Sequence, residues 1–163
     1  MDHRATRQRV ILAVLEVATI VAWFFVRGKW SILTPASAAM ALAGALLALT
    51  GAGLAVWAKV RLGRLFSTQL GIQVSHSLIT TGPYGIVRHP IYLGLIDFIA
   101  GTALYLNDVG LLVVAVLFVV YFTMQLRIEE RFFAEYFGRD WEEYRRRTAA
   151  LVPGLVLRGK GKG

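Results

Sequence analysis

Apolar residues are gathered into four blocks along the chain, separated by polar and basic segments. The blocks run over about 10–26, 32–58, 91–106 and 110–126. Each block is near or above the lower limit of ~17–25 residues that a membrane-spanning helix requires. The pattern therefore predicts an all-α, polytopic membrane protein with four transmembrane helices in a single domain over 1–163.

The linker between the third and fourth blocks consists of Asn107, Asp108 and Val109. A linker this short joins two helices only as a tight antiparallel hairpin. After the fourth block the chain becomes charged but keeps helical character to about Arg147, which predicts a cytoplasmic C-terminal helix. The last residues, 158–163, are rich in Gly and Lys and predict a disordered tail.

Small residues repeat along the second block. Gly44, Ala48 and Ala52 are spaced by four, as are Gly51 and Ala55. Residues at this spacing share a helix face, and their small side chains let a neighbouring helix approach closely. The repeat predicts helix packing and not catalysis.

The composition supports a membrane location. Of the 163 residues 56% are hydrophobic and the mean hydropathy is +0.58, whereas ordinary soluble domains are ~45–50% apolar. The chain has no cysteine, which excludes disulfides and thiolate metal sites. The first block lacks a small-residue cleavage site, so we expect a retained helix and not a signal peptide.

The formal net charge of +8 is compatible with nucleic-acid binding, but the basic residues cluster at the ends of the apolar blocks. Contact with anionic lipid headgroups explains that distribution, and no nucleic-acid partner is predicted. With four spans, sixteen of the eighteen Lys and Arg residues fall on one side, and Arg27 and Lys29 on the other. The bias predicts that both termini are cytoplasmic, in the plasma membrane of a prokaryote or the endoplasmic reticulum of a eukaryote. The oligomeric state stays open.

The segment 82–94 places arginine, histidine and two tyrosines directly before the third block. Proline disfavours helix at the preceding residue and suits the first helical position, so the third helix should begin at Pro90 with His89 extended. Polar groups at a membrane face are costly and favour a functional site. A helix cap with interfacial Tyr and Arg anchors is an equally good interpretation from these residues alone.

An acidic pair, Glu129-Glu130, follows the fourth block. The predicted hairpin returns this pair to the side of the membrane on which His89 lies. The pair is flanked by Arg127 and Arg131, so it forms either a solvated salt-bridge cluster or part of a pocket. In a pocket, one carboxylate would bind ribose hydroxyls or balance a cationic cofactor.

Asp97 is an ionisable residue inside the third block. Such a residue is a candidate for function, although a structural hydrogen bond to a polar neighbour such as Thr102 or Thr123 is the favoured interpretation. His76 and His89 lack the spacing of metal ligands, and no metal site is predicted.

Several motifs occur in a recognisable order: residues 76–84, then Arg88-His89-Pro90-Ile91-Tyr92-Leu93-Gly94, Glu129-Glu130, Phe137-Gly138 and 141–147. Together they resemble the isoprenylcysteine carboxyl methyltransferase and phospholipid methyltransferase superfamily, integral membrane enzymes that use S-adenosylmethionine. The resemblance covers a methyltransferase-like half, 65–153. The first two blocks match only as hydrophobic spans.

The resemblance implies a cytoplasmic pocket for S-adenosylmethionine and an acceptor, a lipid or small hydrophobic molecule, that enters from the bilayer. The residues it assigns to the cofactor are Gln69, His76, Leu78, Ile79, Tyr84, His89, Pro90, Tyr92 and Glu129. The candidate catalytic residues are His89, Glu129 and Glu130, and the candidate substrate residues are Arg88, Gln125 and Asp97.

One position departs from the family pattern. Members that methylate the carboxylate of a prenylated cysteine are expected to have an arginine one turn before the glutamate, where this chain has Gln125. An isoprenylcysteine-like carboxylate, a phospholipid amine and a thiol therefore all stay open as acceptors. An NADPH-dependent membrane reductase for sterols or enones is an alternative function, since sterol reductases resemble the superfamily in their C-terminal half. A non-catalytic membrane scaffold is another.

Overall fold

The structure, a computed structural model, describes residues 37–63 and 78–155. Within these ranges the regular elements are helical, as predicted. They are α1 (Ala38–Leu62), a short 3-10 turn (Gly82–Gly85), α2 (Pro90–Leu106), α3 (Val109–Phe137) and α4 (Arg139–Arg147). The first predicted span, 10–26, and the predicted tail, 158–163, lie outside the described residues.

The start of α1 is fixed by a cap. The Ser37 hydroxyl accepts a hydrogen bond of 3.2 Å from the amide of the third helical residue, which is typical of an N-cap serine. The helix therefore begins at Ala38, and residues 32–36 of the predicted span lie outside the described residues. The helix also continues past the predicted end at 58, to Leu62. Gly63 then terminates it with a φ of +56°.

The hairpin between α2 and α3 agrees with the prediction and is tighter than expected. Helix α2 begins at Pro90, and only Asn107 and Asp108 separate it from α3. Asn107 takes the left-handed conformation, with a φ of +53°, that ends many helices. The Asp108 carboxylate then accepts a 3.1 Å hydrogen bond from the Leu111 amide, so one linker residue ends α2 and the other caps α3.

Helix α3 is longer than the apolar block that predicts it. Its 29 residues correspond to about 44 Å at 1.5 Å per residue, whereas the hydrocarbon core of a bilayer is ~30 Å thick. The predicted span, 110–126, covers the apolar part of α3, and the predicted helical character up to about Arg147 agrees with α3 and α4, which end at Phe137 and Arg147. Residues 127–137 are rich in good helix formers such as Arg, Glu and Ala, so the helix continues where apolarity stops. Gly138, with a φ of +52°, separates α3 from α4.

Two of the described helices, α1 and α3, are long and apolar enough to cross a membrane, and α2 is a shorter apolar helix. In the most apolar stretches of α1 and α3, only 11% and 33% of the residues are buried inside the protein. Most of their apolar side chains therefore face outward. Water would oppose such exposure, and lipid favours it.

The described residues belong to two compact units. The first contains 37–49 and 96–123, and the second contains 50–63, 78–95 and 124–155. Buried side chains of the first unit are Ala103, Leu111, Val114, Ala115, Phe118 and Phe122. Those of the second include Tyr84, Val87, His89, Leu126, Trp141, Tyr144 and Thr148. Among the described residues, the buried polar side chains His89 and Thr148 thus both belong to the second unit.

Glycines let α1 and α2 approach each other at backbone distance in both units. In the first unit, a Cβ added to Gly101 would lie 2.6 Å from the Gly44 carbonyl oxygen. In the second unit, a Cβ added to Gly94 would lie 2.5 Å from the Gly51 carbonyl oxygen. Since real Cβ atoms do not approach backbone atoms so closely, the prediction of close packing on this face of α1 is confirmed. The α1 residues in these contacts are Gly44, Ala48, Gly51 and Ala55.

Candidate functional site

The candidate site is built around the start of α2. His89 directly precedes the helix and is not itself helical, and its amide donates a 3.1 Å hydrogen bond to the Ala150 carbonyl. Its own carbonyl accepts from the Leu93 amide at 3.1 Å, in the first turn of the helix. The His89 side chain is buried, and Pro90 beside it is fully buried. The imidazole is therefore held against the protein interior and not at an open helix end.

The His89 ring lies between the two carboxylates at the end of α3. Its Nε2 atom is 3.3 Å from Oε1 of Glu130, and its Nδ1 atom is 3.7 Å from Oε2 of Glu129. These contacts join the first residue before α2 to the last turns of α3. The prediction that the antiparallel hairpin brings the histidine and the acidic pair together is confirmed.

Glu130 is paired with a buried arginine. Arg88 donates from Nε at 2.9 Å and from Nη2 at 2.7 Å, both to Oε1 of Glu130. The two side chains are only 9% and 16% exposed, so water screens the pair little. The guanidinium also lies over the ring of Trp141, 5.9 Å from its centroid. The charge of Glu130 is thus balanced inside the protein.

Glu129 is held by neutral donors. The Tyr92 hydroxyl donates to its Oε1 atom at 2.5 Å, and the Gln125 amide donates to the same atom at 3.2 Å. The Tyr92 ring stacks parallel to the His89 ring, with centroids 5.5 Å apart. Among the described residues, the one ion-pair partner of Glu129 is His89, which is charged only when protonated. Neutral hydrogen-bond donors thus orient the Glu129 carboxylate, and among the described residues no arginine forms an ion pair with it.

Two buried tyrosines connect the site to its surroundings. The Tyr84 hydroxyl donates to the Ala58 carbonyl at 3.4 Å, and burial, followed by the nearby Glu129 charge, raises the pKa of Tyr84 to about 12. The Tyr144 hydroxyl donates to the Tyr84 carbonyl at 2.7 Å, and burial raises the pKa of Tyr144 as well. Both phenols stay protonated at physiological pH and act as hydrogen-bond donors.

The segment after α4 completes the site, and sequence reasoning gave it no role. Val87 and Ala149 form a parallel bridge, and the Arg88 amide donates to the Ala149 carbonyl at 2.8 Å. The sequence does indicate that the preceding helix, α4, packs against the protein, since Trp141 and Tyr144 are spaced three apart in a helix that is otherwise charged. That spacing puts both rings on one face, which is the buried face.

The structure brings together six of the predicted site residues: Arg88, His89, Tyr92, Gln125, Glu129 and Glu130. Tyr84 and Pro90 are buried in the same unit. Leu78 and Ile79 are half-buried in irregular chain, and no described contact joins them to this cluster. Gln69 and His76 lie outside the described residues.

Asp97 lies two turns into α2, and the two threonines named as its possible partners donate their hydroxyl hydrogens elsewhere. Thr102 donates its hydroxyl to the Phe98 carbonyl at 2.7 Å, and Thr123 donates to the Val119 carbonyl at 2.6 Å. Each threonine thus bonds one turn back on its own helix. Threonine does this readily in helices, which is why the apparent partners of Asp97 were misleading.

Comparison with protein families matches residues 39–140 to the phospholipid methyltransferase model. The matched range contains α2 and α3 in full, α1 from its second residue onward, and only the first two residues of α4. It also contains every side chain of the six-residue cluster.

Among individual proteins, protein-S-isoprenylcysteine O-methyltransferase B of Arabidopsis thaliana is 34% identical over 94 residues, or 56% of this chain and 48% of that protein. The cobalt-zinc-cadmium resistance protein CzcN of Cupriavidus metallidurans is 26% identical over 161 residues, or 96% of this chain and 69% of that protein. The chain spans about half the length of the plant relative.

Among solved structures, a eukaryotic intramembrane Ras methyltransferase, isoprenylcysteine carboxyl methyltransferase, has a similar fold. The TM-score is 0.64 at 20% identity, and the match covers 98% of this chain and 56% of that one. At this identity the likeness concerns the fold.

Proposed function

The chain belongs to the phospholipid methyltransferase family, and on this premise we propose that it is a membrane methyltransferase that uses S-adenosylmethionine. Its acceptor is a lipid or a small hydrophobic molecule. The observation that carries the proposal is the cluster in which His89 lies between Glu129 and Glu130. The plant relative that shares 34% of the aligned residues is named as an O-methyltransferase, which supports the same reaction class.

The donor set of the cluster fits S-adenosylmethionine. This cofactor has a sulfonium cation and ribose hydroxyls, and Glu129 offers a largely buried carboxylate that pairs with no arginine within 37–63 and 78–155. The carboxylate is oriented by Tyr92 and Gln125. A carboxylate held in this way attracts a cation or accepts hydrogen bonds from hydroxyls. The resemblance adds Gln69, His76, Leu78, Ile79, Tyr84 and Pro90 to the proposed cofactor site.

When bound, the cofactor supplies an already electrophilic methyl group. The tasks left to the protein are to align donor and acceptor and to exclude water. The low exposure of the His89, Glu129 and Glu130 side chains, 6%, 11% and 16%, supports the exclusion of water. The parallel stack of His89 on Tyr92 and the ion pair of Glu130 with Arg88 fix the geometry of the cluster.

The need for a base depends on the acceptor. A carboxylate or thiolate acceptor has no proton to lose, whereas an ammonium or a neutral thiol must lose one. His89, whose ring nitrogens lie within 3.7 Å of Glu129 and Glu130, and these two carboxylates are the groups placed to take it. The cytoplasmic orientation predicted from the basic residues places the cluster where a water-soluble cofactor can reach it.

Binding of S-adenosylmethionine to the detergent-purified full chain tests the proposal. We expect isothermal titration calorimetry to detect binding by the wild type. We expect Glu129→Gln to weaken binding by about tenfold or more, since a charge-assisted contact contributes roughly 1.5–3 kcal/mol. His89→Ala should also weaken binding. Arg147→Gln is the matched control, because Arg147 forms an exposed ion pair with Glu143.

The alternatives give different results in the same experiment. A reductase binds NADPH in place of S-adenosylmethionine, and a scaffold binds neither. A wild-type protein that unfolds cooperatively and has no affinity for S-adenosylmethionine would contradict the proposed function.

A further inference from the structure

The hydrogen-bond donors of Arg88 are almost all used by the protein itself. A guanidinium has five N–H groups. The Nε and Nη2 atoms donate to Glu130, and Nη1 donates to the carbonyls of Arg145, at 3.2 Å, and of Thr148. Four of the five donors are therefore taken by protein acceptors. The side chain is 9% exposed, so little of it is left to meet a substrate.

The two carbonyls that Arg88 binds lie at the C-terminal end of α4. The last carbonyls of a helix lack partners within the helix and form the negative end of its dipole. A guanidinium placed there donates hydrogen bonds to these carbonyls and puts a positive charge at the negative end of the dipole. Arg88 therefore caps α4 although it precedes that helix by some 50 positions in the sequence.

The other contacts of α4 support this docking. The Tyr144 hydroxyl donates to the Tyr84 carbonyl at 2.7 Å, and Trp141 is buried beneath the guanidinium. The amides of Arg88 and His89 donate to the carbonyls that follow α4, at 2.8 and 3.1 Å. The backbone at His89 is thus hydrogen-bonded to the segment after α4. The Arg88 side chain forms hydrogen bonds with both this segment and Glu130.

We propose that Arg88 is a positioning residue that couples the docking of α4 to the placement of His89 and Glu130. This positioning role replaces the role predicted from the sequence, in which Arg88 contacts the substrate. A lysine cannot substitute for it, because one ammonium cannot reach a carboxylate and two carbonyls in a planar fork. The structural part of this inference stands on the contacts alone, and its effect on cofactor affinity rests on the proposed function.

Hydrogen–deuterium exchange tests the structural part without reference to activity. In Arg88→Lys and Arg88→Gln, we expect the amides of residues 88 and 89 to exchange at least about tenfold faster than in the wild type, because their acceptors after α4 are released. Amides in the middle of α3 should be unchanged, which shows that the protein is still folded. Wild-type exchange at 88 and 89 in both variants would overturn the coupling.

Cofactor affinity tests the coupling itself through a variant outside the cluster. Tyr144→Phe removes one neutral hydrogen bond that docks α4, and we expect it to weaken S-adenosylmethionine binding by about three- to tenfold. Arg88→Gln should weaken it by about tenfold or more. Arg147→Gln, on the exposed face of α4, should bind as the wild type does.

The double variant decides between the two roles of Arg88. If Arg88 acts through α4, Tyr144→Phe will change affinity by less than about twofold once Arg88→Gln is present, since coupled residues are not additive. If Arg88 contacts substrate or cofactor independently of α4, the two losses will multiply, and the proposal is wrong. A wild type without cofactor affinity would instead contradict the proposed function, and the exchange experiment would still decide whether Arg88 docks α4.

Discussion

The α1–α2 contact of the first unit and the polar cluster of the second unit are held together by opposite means. At Gly101 and Gly44 the helices meet because side chains are missing, and backbone atoms fill the space. At His89 and Glu129 the elements meet through side-chain hydrogen bonds and charges. The glycine contact sets how closely the two helices pack and has no reactive or charged groups. The polar cluster has such groups, and their positions depend on the packing around them. Substitutions should therefore separate folding from binding.

The largest effect is expected at the glycine contact. Gly101→Leu places a side chain against the backbone of Ala48 and Gly44, and we expect little or no folded protein. Size-exclusion chromatography and thermal unfolding in detergent measure this. Gly53→Leu is the matched control in α1, because a Cβ at Gly53 has open space around it. Equal yield and melting temperature of the two variants would refute the close contact.

The next effect concerns the buried ion pair. Glu130→Ala leaves the Arg88 guanidinium without its carboxylate, and loss of one partner of a buried pair costs about 3–5 kcal/mol of unfolding free energy. We expect a clearly lower melting temperature. Glu130→Gln keeps a hydrogen-bond acceptor and should lose less. A Glu130→Ala protein as stable as the wild type would show that the pair is solvated and not buried.

A smaller effect on stability, with none on binding, is expected at the hairpin. Asp108→Ala removes the N-cap of α3 and should destabilise the protein by about 1 kcal/mol. The cap is some 20 residues, or about 30 Å of helix, from Glu129, so affinity for S-adenosylmethionine should not change. Asp108→Asn keeps the cap and should match the wild type in both measurements. A change in affinity at Asp108→Ala would contradict the separation of the two regions.

The smallest effect on stability is expected at Gln125, where affinity for S-adenosylmethionine should change and stability should not. Gln125→Leu removes one neutral donor to Glu129, which contributes about 0.5–1.5 kcal/mol to holding the carboxylate. We expect a melting temperature close to that of the wild type and affinity for S-adenosylmethionine reduced by about two- to tenfold. Unchanged affinity would show that Tyr92 alone orients Glu129.

Much of the site could be predicted because its geometry follows from local rules. The short linker at Asn107-Asp108 forces α2 and α3 to be antiparallel, and helix length then brings Glu129 to His89. Proline fixes the start of α2 at Pro90. The family resemblance seen in the motifs is confirmed by the family match over residues 39–140.

The parts that could not be predicted depend on contacts that leave no mark in the sequence. Arg88 binds the backbone carbonyls of Arg145 and Thr148, and every residue has a carbonyl. The end of α3 at Phe137 is set by Gly138 and not by hydropathy, which falls ten residues earlier. Hydropathy indicates which residues can lie in the membrane, whereas the continuation of a helix depends on the helix propensity of its residues.

The central claim is that Glu129 and its neighbours bind the methyl donor for transfer to a hydrophobic acceptor. Incubation of the purified, lipid-reconstituted protein with S-adenosylmethionine labelled in its methyl group, followed by organic extraction, measures that transfer directly. We expect label in the organic phase with the wild type and with Asp108→Ala, and its loss with Glu129→Gln. Label at the wild-type level with a folded Glu129→Gln protein would show that Glu129 does not bind the methyl donor.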